Sequence, residues 1–452
     1  MELLFSKKDL RKLIVPLVFE QALAITVGMA DTMMVSSVGE AAVSGVSLVD
    51  MINLLIFSVL SALATGGAVV TSQNIGARKK EEACRSAKQL LYTVIAVSFV
   101  IAAAVILAKR PLLRLFFGSI ENDVMENAII YLLISAVSFP FLAVYNACAA
   151  LFRSMGNAQI TLKVSILINL INVVGNAVCI FGLHMGVAGV AVPSLISRAV
   201  GGLVLYILLK NPENMVHFVR EKFCIEWDVI KKILYIGIPS GIENGIFQLG
   251  RVLVVSIISG FGTVQIAANG VANNLDSMGC IVGQAVSLAM ITVIGQCVGA
   301  QDEKQIRYYT KKLLLIAYTA TAILNTMILL CLNPILSLYG LSAETTRLAY
   351  ILVMIHNGCA VFMWPAGFVL PNMLRACNDV KFTMIVSIFS MFTFRIGFSY
   401  LIGVQMGMGA IGVWIAMVID WVFRITLFVG RYLSGRWKKL CLVQQGCFMK
   451  NN

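Results

Sequence analysis

Long apolar stretches follow one another along nearly the whole chain, and short segments rich in charge, Gly, Pro or Asn separate them. An α-helix needs about 20 mainly apolar residues to cross the hydrocarbon core of a bilayer. Twelve stretches meet that length, and each predicts a transmembrane helix. The predicted limits are 12–36, 43–72, 88–108, 127–152, 160–182, 187–209, 231–259, 265–297, 311–331, 346–374, 381–403 and 410–433.

The composition agrees with a chain that lies mostly in lipid. Of the 452 residues, 59% are apolar and only 13% are charged, whereas a soluble domain carries about 25% charged residues. Because backbone polar groups in lipid must be satisfied within their own segment, apolar stretches of this length form helices. The predicted fold class is therefore an all-α polytopic membrane protein.

The distribution of Lys and Arg orients the predicted helices. If the N-terminus is cytoplasmic and the connections alternate, 27 of the 35 basic residues fall on the cytoplasmic side and only four fall outside. This bias is typical of membrane proteins and predicts an inner-membrane protein with both termini in the cytoplasm. The net charge of +13 does not indicate nucleic-acid binding, which requires a basic patch on a folded polar domain.

The chain contains an internal repeat, in which residues 16–77 align without a gap on residues 239–300 at a constant offset of 223. The identical pairs include Pro16 and Pro239, Glu20 and Glu243, Gly39 and Gly262, Gln73 and Gln296, Gly76 and Gly299, and Ala77 and Ala300. The repeat predicts two homologous six-helix bundles, over residues 1–222 and 223–452. An even number of spans gives both bundles the same orientation, as in transporters whose site lies between two repeats.

Several short motifs complete a resemblance to a known family. The second and eighth spans close with QNIGA (73–77) and QCVGA (296–300), and the turns after the fourth and tenth spans begin at Arg153 in RSMGN and Arg375 in RACND. With twelve spans in two bundles, the chain resembles the multidrug and toxic compound extrusion (MATE) exporters over nearly its whole length. The resemblance implies two lobes around a V-shaped cavity that opens by alternating access.

Six acidic residues lie within predicted spans, where an ionised side chain costs about 2.5–3.5 kcal/mol on insertion scales. They are Glu20, Asp31, Asp50, Glu243, Asp276 and Asp420. Glu20 and Asp31 share one face of the first span, about 16 Å apart, and could relay a cation or a proton. Alternatively, they pair with Arg198 or with asparagine amides. Pro16 and its repeat partner Pro239 are predicted hinges, because proline interrupts the hydrogen bonds of a helix.

A second polar face lies on the fifth span, where Asn169, Asn172 and Asn176 recur at helical spacing. Their amides either bind Na⁺ or a carboxylate, or join packed helices. In MATE proteins an Asp of the first span forms the cation or proton site with polar residues of the fifth and sixth spans. The resemblance assigns this site to Asp31, Asn172 and Asn176, with Ser194, and Glu20 is added as the possible relay. Some members carry an acid where this chain has Asn176, which weighs against a purely proton-driven mechanism.

The second half of the chain carries a candidate substrate site. Glu243 occupies the position of an acid that is associated with Na⁺ and substrate in other members, but Trp364 replaces the partner Asp. A complete second cation site is therefore in doubt, and Glu243 is expected instead to face a cationic substrate beside the Trp364 ring. Asp276 of the eighth span either joins this site or packs near Arg251.

Other chemical signals indicate structure rather than catalysis. Asp420 and Arg424, four residues apart, predict a structural ion pair. GMGAIG (407–412) fits a nucleotide-binding glycine pattern, but it joins two apolar spans instead of a strand and a helix. The three His have no metal-binding spacing and the eleven Cys form no CxxC pair. No cofactor is predicted, and no metal apart from Na⁺ at Asp31.

Together these observations predict a secondary active transporter that exports organic cations, drugs or other amphipathic compounds in exchange for Na⁺ or H⁺. Two alternatives are a lipid-linked oligosaccharide flippase of the same superfamily and a membrane-embedded enzyme. Six acids against four bases within the spans favour the exporter over the flippase. No nucleophile pattern supports an enzyme. The expected partners are small-molecule substrates and the bilayer, and the chain is expected to be a monomer.

Overall fold

The computed structural model describes residues 3–118, 121–218 and 224–446, without the side chains of Thr32 and of residues 442–446. Within these residues, twelve helices are long and apolar enough to cross a membrane, and there is no β-strand. We label them α1 to α12 in chain order: Lys7–Ser36, Glu40–Gly76, Lys80–Leu107, Asn122–Ser154, Ala158–Gly182, Ala188–Leu208, Trp227–Ser259, Thr263–Gly299, Glu303–Leu330, Ala343–Ala376, Val380–Gln405 and Gly409–Leu433. The prediction of an all-α fold with twelve transmembrane helices is confirmed.

The chain divides into two compact units. The first spans Lys7–Gly241 and so contains α1 to α6 and the first turns of α7. The second begins at Ile242 and includes the segment before Lys7. The structural division therefore falls inside α7. The domain boundary expected between residues 222 and 223 stays a prediction, because residues 219–223 lie outside the described residues.

Hydrogen bonds explain why the first residues of the chain belong to the second unit. The backbone N–H of Phe5 donates to Tyr309 Oη at 2.9 Å, and the same hydroxyl donates to the Phe5 carbonyl at 2.8 Å. The backbone N–H of Leu4 donates to Gln305 Oε1 at 3.0 Å. This segment is thereby attached to the first turns of α9.

The turns that precede α2 and α8 have the same unusual backbone. Gly39 has a φ of 133° and Gly262 a φ of 100°. Side chains with a Cβ rarely adopt such values, so glycine is required at both positions. These residues are one of the pairs related by the 223-residue offset, and the local structure is repeated together with the sequence.

Glycines also let helix backbones approach each other within the first unit. A Cβ at Gly45 would lie 2.9 Å from the backbone nitrogen of Ala128, where α2 crosses α4. A Cβ at Gly66 would lie 2.5 Å from the Ile233 carbonyl oxygen, where α2 crosses α7. Membrane helices associate largely by such close packing of small residues. The crossing with α4 also brings polar residues of α2 next to those of α4.

Pro16 and Pro239 lie inside α1 and α7, which continue through them. Each proline lacks an N–H, so one backbone hydrogen bond of its helix is missing at that point. The two positions are equivalent in the repeat. Their predicted role as hinges stays a prediction.

Four segments of these helices adopt π-helical geometry. They are Val178–Gly182 at the end of α5, Pro365–Val369 in α10, and Met391–Gly397 and Ser399–Gln405 in α11. The first begins two residues after Asn176, and the second directly follows Trp364. π-helical turns inside α-helices are frequent at functional sites, and two of these segments lie beside residues that the sequence predicts to belong to a site.

Candidate functional site

The first unit brings polar side chains of α1, α5 and α6 together around Asp31. Asn176 Nδ2 donates to Asp31 Oδ1 at 2.8 Å. With the Asn172 amide oriented so that both its polar atoms have partners, its nitrogen donates to Asp31 Oδ1 at 2.9 Å and its oxygen accepts from Ser194 Oγ at 2.9 Å. We call Asp31, Asn172, Asn176 and Ser194 the Asp31 cluster. Four of the five residues predicted for coupling therefore form one hydrogen-bonded network.

Helix geometry accounts for this convergence. Asn172 and Asn176 are one turn apart on α5, so their side chains project from the same face. Gly175 lies between them, and a Cβ there would be only 2.7 Å from Pro193 Cβ of α6. This close approach of α5 and α6 carries Ser194, the next residue, to the Asn172 amide.

Among the described side chains and backbone groups, one atom of the Asp31 cluster has no hydrogen-bond partner. Asn176 Oδ1 is buried and unpaired, although the Nδ2 atom of the same amide binds Asp31. Leaving a buried acceptor unsatisfied costs about 1–3 kcal/mol, and a bound cation would remove that cost. Carboxylate, amide and hydroxyl oxygens are ligands that hard cations prefer. The Asp31 cluster therefore fits a Na⁺ ion, which Asp31 and the neighbouring neutral oxygens would hold.

A second acid, Asp50 of α2, lies close to the Asp31 cluster. Tyr131 Oη donates to Asp50 Oδ1 at 3.1 Å, and Asn53 Nδ2 lies 3.4 Å from the same oxygen. Arg198 of α6 is within electrostatic range of both Asp50 and Asp31. The sequence identifies Asp50 only as an acid within a span, because Tyr131 and Arg198 come from other helices.

Glu20 lies outside the Asp31 cluster. Its Oε1 atom is 3.5 Å from Arg153 Nη1, and its Oε2 atom accepts from Thr161 Oγ1 at 3.1 Å. Its partner is therefore the arginine of the RSMGN turn, and not Arg198 or an asparagine as the alternative supposed. The predicted role of Glu20 as a relay stays a prediction, and in this structure Arg153 compensates its charge.

Glu243 has the corresponding environment in the second unit. Arg375 Nη2 lies 2.8 Å from Glu243 Oε1, and Ser387 Oγ donates to the same oxygen at 2.5 Å. These residues line a cavity of about 170 Å³, together with Phe368 and Arg424 among others. The cavity thus contains two arginines and one carboxylate. The expected binding of a cation by Glu243 stays a prediction. In this conformation the guanidinium group of Arg375 already forms an ion pair with the Glu243 carboxylate.

Trp364 packs against Phe368 and against the backbone of α8 at Gly283. Its ring stacks on Phe368, with centroids 5.1 Å apart and planes inclined by 21°. A Cβ at Gly283 of α8 would lie 2.1 Å from the Trp364 ring, so the ring fills the space that this glycine leaves. The aromatic residues that line the cavity beside Glu243 are Phe247 and Phe368, and Trp364 stacks on the second of them. The predicted role of Trp364 in substrate binding stays a prediction.

Asp276 belongs to a different set of contacts from Glu243. Its Oδ1 atom lies 2.7 Å from Nε2 of the buried His356 and 3.3 Å from Cys280 Sγ. Arg251, the partner expected from the sequence, lies within electrostatic range as well. The sequence did not indicate the contact with His356, because the two residues lie on separate helices and 80 positions apart.

Asp420 and Arg424 form the ion pair that their spacing predicts. Arg424 Nε donates to Asp420 Oδ1 at 2.9 Å, and both side chains are buried. Arg395 Nη1 lies 4.0 Å from Asp420 Oδ2. Ser390 Oγ also donates to Asp420. The pair therefore joins α11 to α12 within the second unit.

Comparison with known proteins identifies the family. The sequence model of the MatE family matches residues 16–178 and again residues 239–401, so the two matches begin 223 positions apart. The chain belongs to the MATE family. It is accordingly a membrane transporter and not an enzyme.

This MATE-family chain has relatives that match it over nearly their full length. It is 27% identical to the uncharacterized transporter YisQ of Bacillus subtilis, covering 95% of this chain and 94% of that protein. It is 26% identical to the probable multidrug resistance protein NorM of Thermotoga maritima, covering 96% and 93%. A solved structure of a MOP superfamily transporter from Pyrococcus furiosus shares the fold, with a TM-score of 0.88 at 21% identity over 96% of both chains.

Proposed function

We propose that this protein is a secondary active exporter that moves organic cations, drugs or other amphipathic compounds out of the cell in exchange for Na⁺ or H⁺ by alternating access. The observation that carries the proposal is the Asp31 cluster. It places a carboxylate within a membrane-spanning helix, where two asparagine amides and a hydroxyl lie around it.

Ion coupling needs a group whose occupancy differs between two conformations, because a ligand shifts an equilibrium only by its differential affinity. Asp31 meets this requirement, since a proton or Na⁺ neutralises its charge. In the ionised form, the amide nitrogens of Asn172 and Asn176 stabilise the carboxylate. When the ion binds, those donors lose their negatively charged acceptor, and the hydrogen bonds between α1, α5 and α6 change with it.

The names of related proteins support drugs as substrates. The NorM relatives from Thermotoga maritima and Bacillus subtilis are probable multidrug resistance proteins. We further propose that the chain acts as a monomer in the inner membrane with both termini in the cytoplasm. The support for this orientation is the distribution of Lys and Arg, of which 27 fall on the proposed cytoplasmic side and four on the other.

Efflux from liposomes tests the proposal directly. Purified protein is reconstituted, a fluorescent organic cation is enclosed, and efflux is followed after a Na⁺ gradient or a pH gradient is imposed. Wild type should respond to at least one gradient, whereas Asp31→Asn should fall to the background rate because an amide cannot change its charge. Insertion and folding should persist, since the substitution leaves no unpaired buried charge.

Two further variants sharpen the test. Asp228→Asn makes the same chemical change at an exposed side chain and should transport like wild type. Asn176→Leu removes both the donor to Asp31 and the unpaired oxygen, so it should raise the ion concentration for half-maximal efflux about tenfold or more. Gradient-driven efflux by Asp31→Asn at nearly the wild-type rate would contradict the proposal.

A lipid-linked oligosaccharide flippase is a second candidate, and the cavity of the second unit favours it. Arg375 and Arg424 both line that cavity, although Glu243 and Asp420 pair with them. Arginine forks suit phosphate oxygens. Transport of a lipid-linked sugar diphosphate by liposomes that move no organic cation would favour the flippase over the exporter.

A further inference from the structure

Three potential metal ligands converge in the second unit, remote in sequence from the Asp31 cluster. Asp276 and Cys280 are one turn apart on α8, and His356 lies on α10. One ligand atom from each lies within 4.8 Å of the other two. We propose that Asp276, Cys280 and His356 bind a divalent transition-metal ion of the Zn²⁺ class. This site is independent of the proposed ion-coupled export.

The distances suit tetrahedral coordination. Zinc binds thiolate sulfur at about 2.3 Å and imidazole nitrogen or carboxylate oxygen at about 2.0–2.2 Å, which places the ligand atoms of a tetrahedral site roughly 3.4 Å apart. Cys280 Sγ already lies 3.3 Å from Asp276 Oδ1. His356 Nε2, now 2.7 Å from that oxygen, must withdraw by several tenths of an ångström. Cys280 Sγ and His356 Nε2 lie within 4.8 Å of each other, so the Cys280 side chain must also move closer to the imidazole.

The chemistry of the three ligands selects the class of metal. A thiolate, an imidazole and a carboxylate form a mixed set that suits Zn²⁺ and similar ions, whereas Na⁺, Mg²⁺ and Ca²⁺ prefer oxygen ligands alone. Three protein ligands leave a fourth position for water or another group. The set therefore differs from the all-oxygen Asp31 cluster.

Surrounding side chains hold His356 in the required orientation. Its Nδ1 atom lies 3.3 Å from Asn357 Oδ1, a contact that leaves Nε2 directed at Asp276. The rings of Trp414 and Trp421 pack against the His356 imidazole in T-shaped geometry, with centroid distances of 5.6 and 4.9 Å. A metal-binding histidine characteristically has such a partner on its second nitrogen, which fixes the tautomer.

Charge and access are also favourable. The two positive charges of the ion offset the Asp276 carboxylate and the Cys280 thiolate that forms when the thiol proton is displaced, so no unpaired charge is buried. The Asp276 side chain is 27% exposed while that of His356 is only 2% exposed. An incoming ion can therefore meet the carboxylate first.

The bound ion would connect α8 to α10 within the second unit. A ligand that binds only the folded protein raises its stability. The metal should consequently stabilise this unit against unfolding, and it should do so whatever ion drives transport.

Cobalt provides the test, because Co²⁺ in a tetrahedral thiolate site absorbs in the visible region and shows a thiolate-to-metal band in the near ultraviolet. Reduced, metal-free protein in detergent is titrated with Co²⁺ and then with Zn²⁺. Wild type should develop both bands, and Zn²⁺ should remove them. Cys280→Ser keeps a hydrogen-bond donor to Asp276 but loses the thiolate, so it should lack the near-ultraviolet band and bind Zn²⁺ more than 100-fold more weakly, beyond the 10–100-fold effect of an outer-shell partner.

Matched controls separate this site from the other thiols. Cys297→Ser alters another buried cysteine of α8 and should bind like wild type. His356→Gln, which retains polarity, should weaken the affinity as Cys280→Ser does. Zn²⁺ should raise the melting temperature of wild type and Cys297→Ser but not of Cys280→Ser. A cobalt spectrum without a thiolate band, or one that Cys280→Ser leaves intact, would overturn the proposal even if the exporter assignment is correct.

Discussion

Arg375 compensates the charge of Glu243, with Nη2 and Oε1 only 2.8 Å apart. The same relationship occurs in the first unit, where Arg153 lies 3.5 Å from Glu20. The two acids are related by the 223-residue offset, and the two arginines begin equivalent turns. Each unit therefore keeps its own acid and arginine pair within the membrane-spanning helices.

Breaking the pair of the second unit should be more harmful than removing it. Glu243→Gln leaves Arg375, whose side chain is only 15% exposed, without its partner, which should lower the free energy of unfolding by about 3–5 kcal/mol. The double variant Glu243→Gln/Arg375→Gln should lie much closer to wild type, because no unpaired charge remains. The free energies of unfolding of the single and the double variant are measured by denaturation in detergent. Additive losses in the double variant would show that the two side chains do not stabilise each other.

Asp302 should stabilise the start of α9 in a pH-dependent way. Its Oδ1 atom accepts from the Gln305 backbone N–H at 3.0 Å, and this bond, with others, holds the pKa of the Asp302 carboxyl below its usual value. Asp302→Ala should cost about 1 kcal/mol of stability at neutral pH, whereas Asp302→Asn should cost almost nothing.

The sign of the pH effect at Asp302 follows from linkage. Because its pKa is lower in the folded protein, the carboxylate stabilises the fold above the unfolded pKa of about 3.9 and loses this contribution as the pH falls through the folded value. Wild type should therefore lose stability relative to Asp302→Asn on acidification. A constant difference between them from pH 7 to pH 3 would contradict the capping role.

Labelling of single cysteines tests the proposed orientation. Glu40 and Glu213 are both exposed, at the start of α2 and in the connection after α6. In a background without other cysteines, a membrane-impermeant maleimide should label Glu40→Cys in intact cells. Glu213→Cys should react only after the membrane is permeabilised. The opposite result would reverse the orientation inferred from the basic residues.

The sequence predicted those features that repeat along a single helix. The twelve helices follow from the lengths of apolar stretches, and Asn172 and Asn176 were grouped because they are one turn apart. Their convergence on Asp31 was expected from the family resemblance. Contacts between distant helices carry no such periodic signal, so the pairing of Glu20 with Arg153 was missed.

The same limit applies to the proposed metal site and to local helix geometry. Asp276 and Cys280 have helical spacing, but His356 joins them only through the packing of α8 and α10. The packing of Trp364 into the space beside Gly283 likewise depends on how two helices cross. The spacing of apolar and polar residues also gave no indication of the π-helical segments, because these spans are apolar on most of their faces.

The attachment of Phe5 to Tyr309 has a consequence for biosynthesis. The two residues are 304 positions apart, and a ribosome adding about 5–20 residues per second needs roughly 15–60 s to travel between them. During that interval the backbone groups of Leu4 and Phe5 lack their native partners on α9. The attachment of this segment to α9 must therefore wait until α9 has been synthesised. A ribosome that stops at the end of the first half releases a polypeptide in which Leu4 and Phe5 cannot make these hydrogen bonds.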